Sequence, residues 1–478
     1  MPISACLVAV VPVLFLSAGE ETLELGAAIQ RALAKNPDAL REVANVDTAN
    51  ASVLRTQAPF DYTLTADTSY ARTFSLGGGF SQSTPIDRLS YDASISRGLE
   101  SANGGSLALS FQGQRTSFNG LTYQNGLVLQ LTHPLLKGLG LDVVARPRQA
   151  AEQRVTAAIA NRRARVVGVV RDLALAYWEL AYAVEDVAIK RKAVQLAKEL
   201  LELTQAQIRV GRLSEIEAYA VKATIAQNEG DLVTAELAQR QRSRDLRRLL
   251  GEPVDPQAAR LATPPPPVIQ PTPIDSGTEA EKAVVENPAL AALRAGVRAS
   301  ELDRDAVDNL LLPDLSFVGS VGTTGVKPTF RDSMEDVVTV NSPQYSAGLR
   351  FSWVLGNRDV AGQKRQSEAT RRKAEIDVAA LEIDTKLFAM RYADELGTAN
   401  RRLELAAVAV EFAQKNVDAE KAKFEVGRTN NYEVLKRQQD LTTAQGRRVR
   451  AMVDFLEAQA QLLGVSGRIL EAYGVTLK

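Results

Sequence analysis

The chain has 478 residues, with 57 Lys+Arg against 57 Asp+Glu and so no formal net charge. That balance argues against a dedicated nucleic-acid binder, which needs a cationic surplus to displace counterions. One Cys, Cys6, and one His, His133, exclude a disulfide scaffold and any metal site built on Cys/His clusters; aromatics at 5% argue against base-stacking platforms.

Residues 1–18 read as a signal peptide. Ala5–Leu16 is almost wholly apolar, the length of a signal h-region and too short for a spanning helix, and Ala18 follows as a cleavage position. Ile3-Ser4-Ala5-Cys6 has the form of a lipid-attachment box, but the preferred reading of Cys6 is one more apolar residue of the h-region. No later segment holds eighteen uninterrupted apolar residues, so strands must do any membrane crossing.

Residues 22–250 read as a first structural repeat. A short helix over Ala27–Lys35 stops at Asn36-Pro37, because the residue before Pro leaves the helical region, and a longer helix follows near 38–58. Strands occupy 60–133. Tyr62, Leu64, Ala66 and Tyr70 alternate with Asp61, Thr63, Thr65 and Asp67, the period of a strand with two unlike faces. The alternation returns over Leu89–Leu99, at Leu107, Leu109 and Phe111, and over Leu121–Leu131, ending at His133-Pro134. Gly77-Gly78-Gly79 lacks the Lys and following helix of a phosphate loop and reads as a surface loop.

A helical hairpin fills 148–250. Leu180, Val187, Val194, Leu201 and Ile208 stand one heptad apart, with Ala183 and Ala197 on the adjoining seam, the pattern of closely packed coiled-coil helices. Gly211 stops the first helix. Ser214 is placed to cap the returning one, with Glu217 at capping-box spacing. Arg240–Arg248, the densest basic run, reads as a solvated helix face. The Pro-rich segment 251–274 is an extended linker.

Residues 275–478 repeat the scheme, with Asn287-Pro288, strands within 315–353, a hairpin over 359–464 and a C-terminal tail. Leu396, Leu403, Val410, Val417 and Phe424 match the first heptad series at an offset of 216, as Gly427 and Glu433 match Gly211 and Glu217. At 1.5 Å per residue the helices entering the turns run roughly 90–100 Å and the returning ones only about 50–55 Å, so each long helix is backed by two shorter ones stacked end to end.

The two repeats, the Asn-Pro helices, the strands before each hairpin and the paired Val-Gly-Arg turns together resemble the TolC-type outer-membrane efflux protein family (outer membrane factors). The resemblance covers nearly the whole chain after the signal segment. It implies a mainly α fold with a β-barrel part: two tandem repeats of long antiparallel coiled-coil hairpins plus transmembrane β-strands, forming a trimeric α/β-barrel tunnel. It implies a passive export duct in the outer membrane of a Gram-negative cell, extending into the periplasm, for an efflux pump or type I secretion system. The implied partners are a homotrimer, outer-membrane lipid, a periplasmic adaptor (membrane fusion) protein and an inner-membrane pump; no enzyme activity, cofactor, metal or nucleic acid is implied. Matched position by position, Glu217, Glu433 and Lys436 fall at the periplasmic gate, Lys436 where the family carries Asp. Gly211, Arg212, Gly427 and Arg428 form the adaptor-contacting turns. Glu433 and Lys436, three apart on one helix face, can pair and weaken the acidic ring; Glu217 and Glu433 also suit a capping role alone. The family pattern is four strands per chain, whereas the first repeat alone reads as four. Leu89–Arg115 therefore adds a hairpin to the barrel, the preferred reading, or folds over its mouth. The competing function is a periplasmic coiled-coil adaptor or scaffold without a pore.

Overall fold

In chain order the computed structural model runs β1 (Glu21–Thr22), α1 (Leu25–Lys35), α2 (Pro37–Arg55), β2 (Thr63–Leu76), β3 (Ser83–Leu99), β4 (Gly105–Ser117), β5 (Leu121–Pro134), α3 (Leu141–Arg209), α4 (Glu215–Leu249), β6 (Leu261–Ala262), α5 (Ser276–Glu286), α6 (Pro288–Leu310), β7 (Asp314–Lys327), α7 (Phe330–Val338), β8 (Pro343–Ser352), α8 (Arg358–Glu425), α9 (Asn431–Ser466) and α10 (Ile469–Ala472). The structure describes residues 21–76, 83–100, 103–118, 120–253, 260–267, 269 and 274–476. The signal segment with Cys6, the Gly77–Gly79 loop and parts of the Pro-rich linker lie outside the described residues. Contacts gather the rest into two units that each draw on both repeats. A helical unit takes the chain up to Ala44, Asn161–Leu290 and Leu381 onward; a sheet unit takes Asn45–Ala160 and Ala291–Ala380.

In the helical unit the heptad residues Leu180, Val187, Val194, Leu396, Val417 and Phe424 are buried, with Ala183, Ala197 and Ala399 on the small side of the seam. Ala at those positions lets neighbouring backbones approach while the larger residues fill the space between them. The Asn-Pro junctions do more than stop a helix. Asn36 Oδ1 accepts from the amides of Asp38 and Ala39, capping α2, while its Nδ2 donates to the Leu249 carbonyl in the last turn of α4 (2.8 Å). Asn287 repeats this, accepting from Ala289 and Leu290 and donating to Val465 of α9 (2.9 Å). Each returning helix is thereby joined end to end with the helix after its Asn-Pro. Gly251 and Gly467 close the returning helices against these joints, where a Cβ would press on the Lys35 carbonyl or on the Pro288 ring. The linker is not wholly free of regular structure, since β6 pairs in parallel with β1 through Glu21↔Leu261 and Thr22↔Ala262.

The sheet unit holds one antiparallel sheet of six strands in the order β2-β3-β4-β5-β7-β8. The hairpin β3–β4 lies inside the sheet, bonded to β2 on one side and β5 on the other, so it adds strands and does not fold over them. The register puts Leu64, Ile95, Leu109, Leu129, Val321 and Tyr345 in one cross-strand row, on the apolar face. Thr65, Ser94, Ser110, Val128, Gly322 and Gln344 form a row of the opposite, mainly polar face. The apolar face is open to its surroundings: Leu64, Tyr345 and Leu349 are 69–76% exposed. Water would not leave such a face uncovered, and a hydrocarbon surround suits it. α3 starts at Leu141, ahead of the Arg148 read from periodicity, and carries Pro147 in its second turn, where only the bond to the Val143 carbonyl is lost. Among the described residues no helix is long and apolar enough to cross a membrane.

Candidate functional site

The two Val-Gly-Arg turns are built identically. Gly211 and Gly427 each adopt φ +75°, a left-handed conformation in which a Cβ is strained. Gly211 N–H donates to Ile208 O and Arg212 N–H to Gln207 O; Gly427 donates to Phe424 O and Arg428 to Lys423 O. This double bond pattern satisfies the last carbonyls of α3 and α8 and reverses the chain within a few residues. Arg212 and Arg428 are exposed on the turns. Large apolar side chains stand exposed beside them, among them Val210, Ile216, Val426 and Tyr432.

Behind the turns the four helices converge on a small core of Leu200, Val221, Phe424 and Val434, one residue from each of α3, α4, α8 and α9. A buried polar chain runs through it. Thr204 Oγ1 bonds Asn431 Oδ1 (3.0 Å) and its own-helix Leu200 carbonyl (2.8 Å); Asn431 Nδ2 reaches Glu217 Oε2 (3.4 Å). Gln207 Nε2 donates to the Phe424 carbonyl (3.1 Å). The structure therefore brings Glu217, after the first turn, to the first residue of the helix after the second. Thr204 sits seven residues beyond Ala197 on the same heptad series as Ala183, so its hydroxyl falls on the packed seam. Such a polar pair inside a coiled-coil interface fixes register.

Asn430 caps α9, its Oδ1 accepting from Glu433 N–H (3.1 Å). Ser214 makes no side-chain cap; its backbone carbonyl takes the Glu217 N–H instead (3.1 Å). The pairing expected between Glu433 and Lys436 does not form. Glu433 pairs with Arg437 (3.7 Å), one position further on, where the helix brings i and i+4 side chains over one another; Arg437 also reaches Asp440 (3.4 Å). Glu433 is half-exposed and Lys436 exposed. On α8, the Thr429 hydroxyl and the Lys423 ammonium hold the Glu420 carboxyl below the usual range.

A second concentration of charge lies within the helical unit. Arg450 contacts Glu179 (2.7 Å), Asp454 (2.7 Å) and Glu457 (3.1 Å), and Arg242 reaches the other Glu179 oxygen (3.3 Å). Three carboxylates share two guanidiniums, and Glu457 Oε1 is buried without a partner. Burial pushes the Glu457 carboxyl up to about 7, against the pull of Arg450 and with the nearby Glu179 charge adding to it. Burial works the same way on Glu179, but its bond to Arg450 together with the charges of Arg450 and Arg242 outweighs it and leaves that carboxyl below the ordinary range. A groove of about 870 Å³, lined by Asp394, Glu395, Arg402, Asp454 and Glu457 among others, opens beside the cluster. His133 is paired in β5 opposite Phe317, a structural position. Among the described residues no group of three or more His, Cys, Asp or Glu side chains could hold a metal ion.

Solved structures share this fold at low sequence identity. The Campylobacter jejuni CmeC outer membrane channel superposes with a TM-score of 0.68 at 12% identity, covering 98% of this chain and 94% of its own. The Vibrio cholerae outer membrane protein VceC gives 0.67 at 16%, covering 93% and 96%. The open state of the Neisseria gonorrhoeae MtrE outer membrane channel gives 0.65 at 14%, covering 93% and 89%. Among curated proteins none matches by sequence. The outer membrane efflux protein family matches residues 28–252 and 280–468, most of both repeats. With its duplicated hairpins, paired glycine turns and two-faced sheet, the chain belongs to the outer membrane efflux protein family, a channel subunit of the Gram-negative outer membrane and not an enzyme.

Proposed function

We propose that three copies of this chain close their sheets into one barrel and continue as a helical duct across the periplasm, a passive conduit energised by a partner pump. The observation that carries this reading is the open six-stranded sheet. Its edge strands β2 and β8 have no outer neighbour among the described residues, and a sheet inside a membrane must satisfy those backbone groups by closure. Three such sheets supply eighteen strands, with the apolar face toward lipid and the polar face toward the lumen. The pore-less adaptor reading has no place for that apolar face.

The turns at Gly211–Arg212 and Gly427–Arg428, with their exposed Val210, Ile216, Val426 and Tyr432, are the surface offered to a periplasmic adaptor. Glu433 is the carboxylate best placed to line the entrance. Its half-exposure and loose pairing with Arg437 leave its charge available, while Glu217 is engaged with Asn431. Three such carboxylates around a narrow ring interact more strongly than in bulk water and favour cations. Efflux-pump and type I secretion partners both fit this arrangement. Cross-linking of outer-membrane fractions tests the assembly: trimers are expected, and a detergent-stable monomer with full helical content overturns it. Glu433→Gln keeps size and removes charge, so single-channel recording of the intact assembly should show reduced cation preference. Unchanged selectivity would leave Glu433 only as the third residue of a capped helix.

A further inference from the structure

The short helix α7, between β7 and β8, lies on the apolar face of the sheet, at the end of the strands away from the helices that lead into and out of them. Its placement follows from the pleat. Asn125, Leu127 and Leu129 alternate onto one face, and Asn125 Nδ2 donates to Ser333 Oγ of α7 (3.1 Å) while its Oδ1 accepts from Tyr91 (2.8 Å). Ser333 Oγ in turn donates to the Gly325 carbonyl (2.7 Å). A Cβ on Gly325 would collide with the Ser333 carbonyl, so the helix sits as close to β7 as the backbone allows. Phe330 packs beside Tyr91 and Tyr123 (ring centroids 6.2 and 6.0 Å). Lys327 pairs with Asp336 (3.3 Å). Asn125 and Ser333 are both fully buried, although Leu127 and Leu129, on the same face of β5 as Asn125, are exposed.

Two features of α7 have no purpose in water. One flank carries Met334 and Val338 with the exposed Arg331 beside them, and Asp332 and Asp336 stand on the opposite flank. Val338 is 75% exposed. Val340 occupies the position after the helix with φ +55°, where Gly is normal and a β-branched residue is strained, and it is 55% exposed. Its N–H donates to Val337 O and that of Asn341 to Asp336 O, the same turn that Gly211 and Gly427 make with glycine. The strain is retained for a side chain that touches little of the protein.

We propose that α7 is an interfacial helix: its apolar flank with Val340 seats in the boundary between headgroups and acyl chains of the outer leaflet, and fixes the height of the barrel there. This rests on the barrel reading in taking the apolar face as the lipid face. The occupant is lipid because the flank is continuous with that face. A neighbouring copy is disfavoured because α7 stands over β5 and β7, whereas the seam between copies would run along β8 and β2.

The test uses the assembled protein in phosphatidylcholine–phosphatidylglycerol vesicles. Cys6 is replaced by Ser, and an environment-sensitive fluorophore is attached to Val338→Cys, Val340→Cys or, as control, Leu129→Cys. Lipids with a nitroxide at the headgroup or deep in the acyl chain serve as quenchers, and iodide as the aqueous one. The proposal expects the 338 and 340 labels to be quenched at least about threefold more by headgroup than by deep nitroxide, and weakly by iodide. The Leu129 label should show the reverse depth preference. Labels at 338 and 340 quenched by iodide alone, with the Leu129 label still quenched in lipid, overturn the interfacial helix and leave the barrel standing. A Leu129 label quenched only by iodide overturns the barrel reading itself.

Discussion

Asn430 and Ser214 follow equivalent turns, yet only Asn430 caps with its side chain, because the Ser214 carbonyl already takes the amide that its hydroxyl would serve. Asn430→Ala should therefore cost about 1 kcal/mol and Ser214→Ala only a few tenths. Hydrogen exchange at the amides of 431–434 should accelerate about fivefold in the first variant, while those of 215–218 barely change in the second. Glu457 offers a second test at this scale. With its carboxyl pushed up to about 7 in the fold and near 4.5 in the unfolded chain, the folded chain holds a proton that the unfolded chain has released between those values. Stability should then fall as pH rises through that window, by at most about 1.4 kcal/mol per pH unit, and stay low above it. Glu179 acts oppositely: its stabilisation is present at neutral pH and lost only as pH falls below the ordinary carboxylate range. The melting temperature of the purified protein should drop between pH 5 and pH 8, and Glu457→Gln should flatten that drop. A variant with the same slope would place the proton elsewhere.

At the scale of elements, the two Asn-Pro joints combine a cap with a staple, and chemistry separates the two. Asn36→Ala loses both and should destabilise by about 1–3 kcal/mol. Asn36→Asp keeps an acceptor for the Asp38 and Ala39 amides but sets an oxygen against the Leu249 carbonyl. Exchange protection should then persist at the start of α2 and fall at the end of α4; loss at both in the Asp variant would mean that the cap cannot hold the joint without the staple. The sequence shows these joints only as helix stops, because the staple's partner lies 213 residues away. The same holds for the tip, where Thr204 and Asn431 are 227 apart. Features written in local spacing were legible: the heptads, the glycine turns, the alternating strands. The place of β3–β4 in the sheet depends on which distant strands accept it, and the reading favoured there agrees with the observed order. α7 went unread, since nine residues mixing Phe330, Ser333 and Val337 with charges make too short a pattern to identify.

At the scale of the whole molecule, in the proposed trimeric barrel the six sheet strands of each chain's described residues, against the four of the family pattern, would change the barrel's size. Diameter grows roughly linearly with strand number, so eighteen strands give a barrel about half again as wide as twelve. Electron-microscopic images of the trimer should show that width; a twelve-strand diameter would mean that β3–β4 leaves the wall on assembly. The helical unit is stitched from three separated stretches of chain. Its core places Leu23 with Leu261, Ile469, Leu470 and Val475, so the first and last segments meet in one cluster. During export the leading end emerges long before its partners. The earliest helices must wait with Ala28, Ile29 and Ala32 unburied until the final turn of the chain has crossed. No early fragment can complete this core, since contacts between distant segments form only after the whole loop between them is available. The protein's maturation is therefore all-or-none with respect to translocation: a chain arrested even near its end should behave as a ligand for periplasmic holding chaperones and a target for proteases, not as a shortened channel.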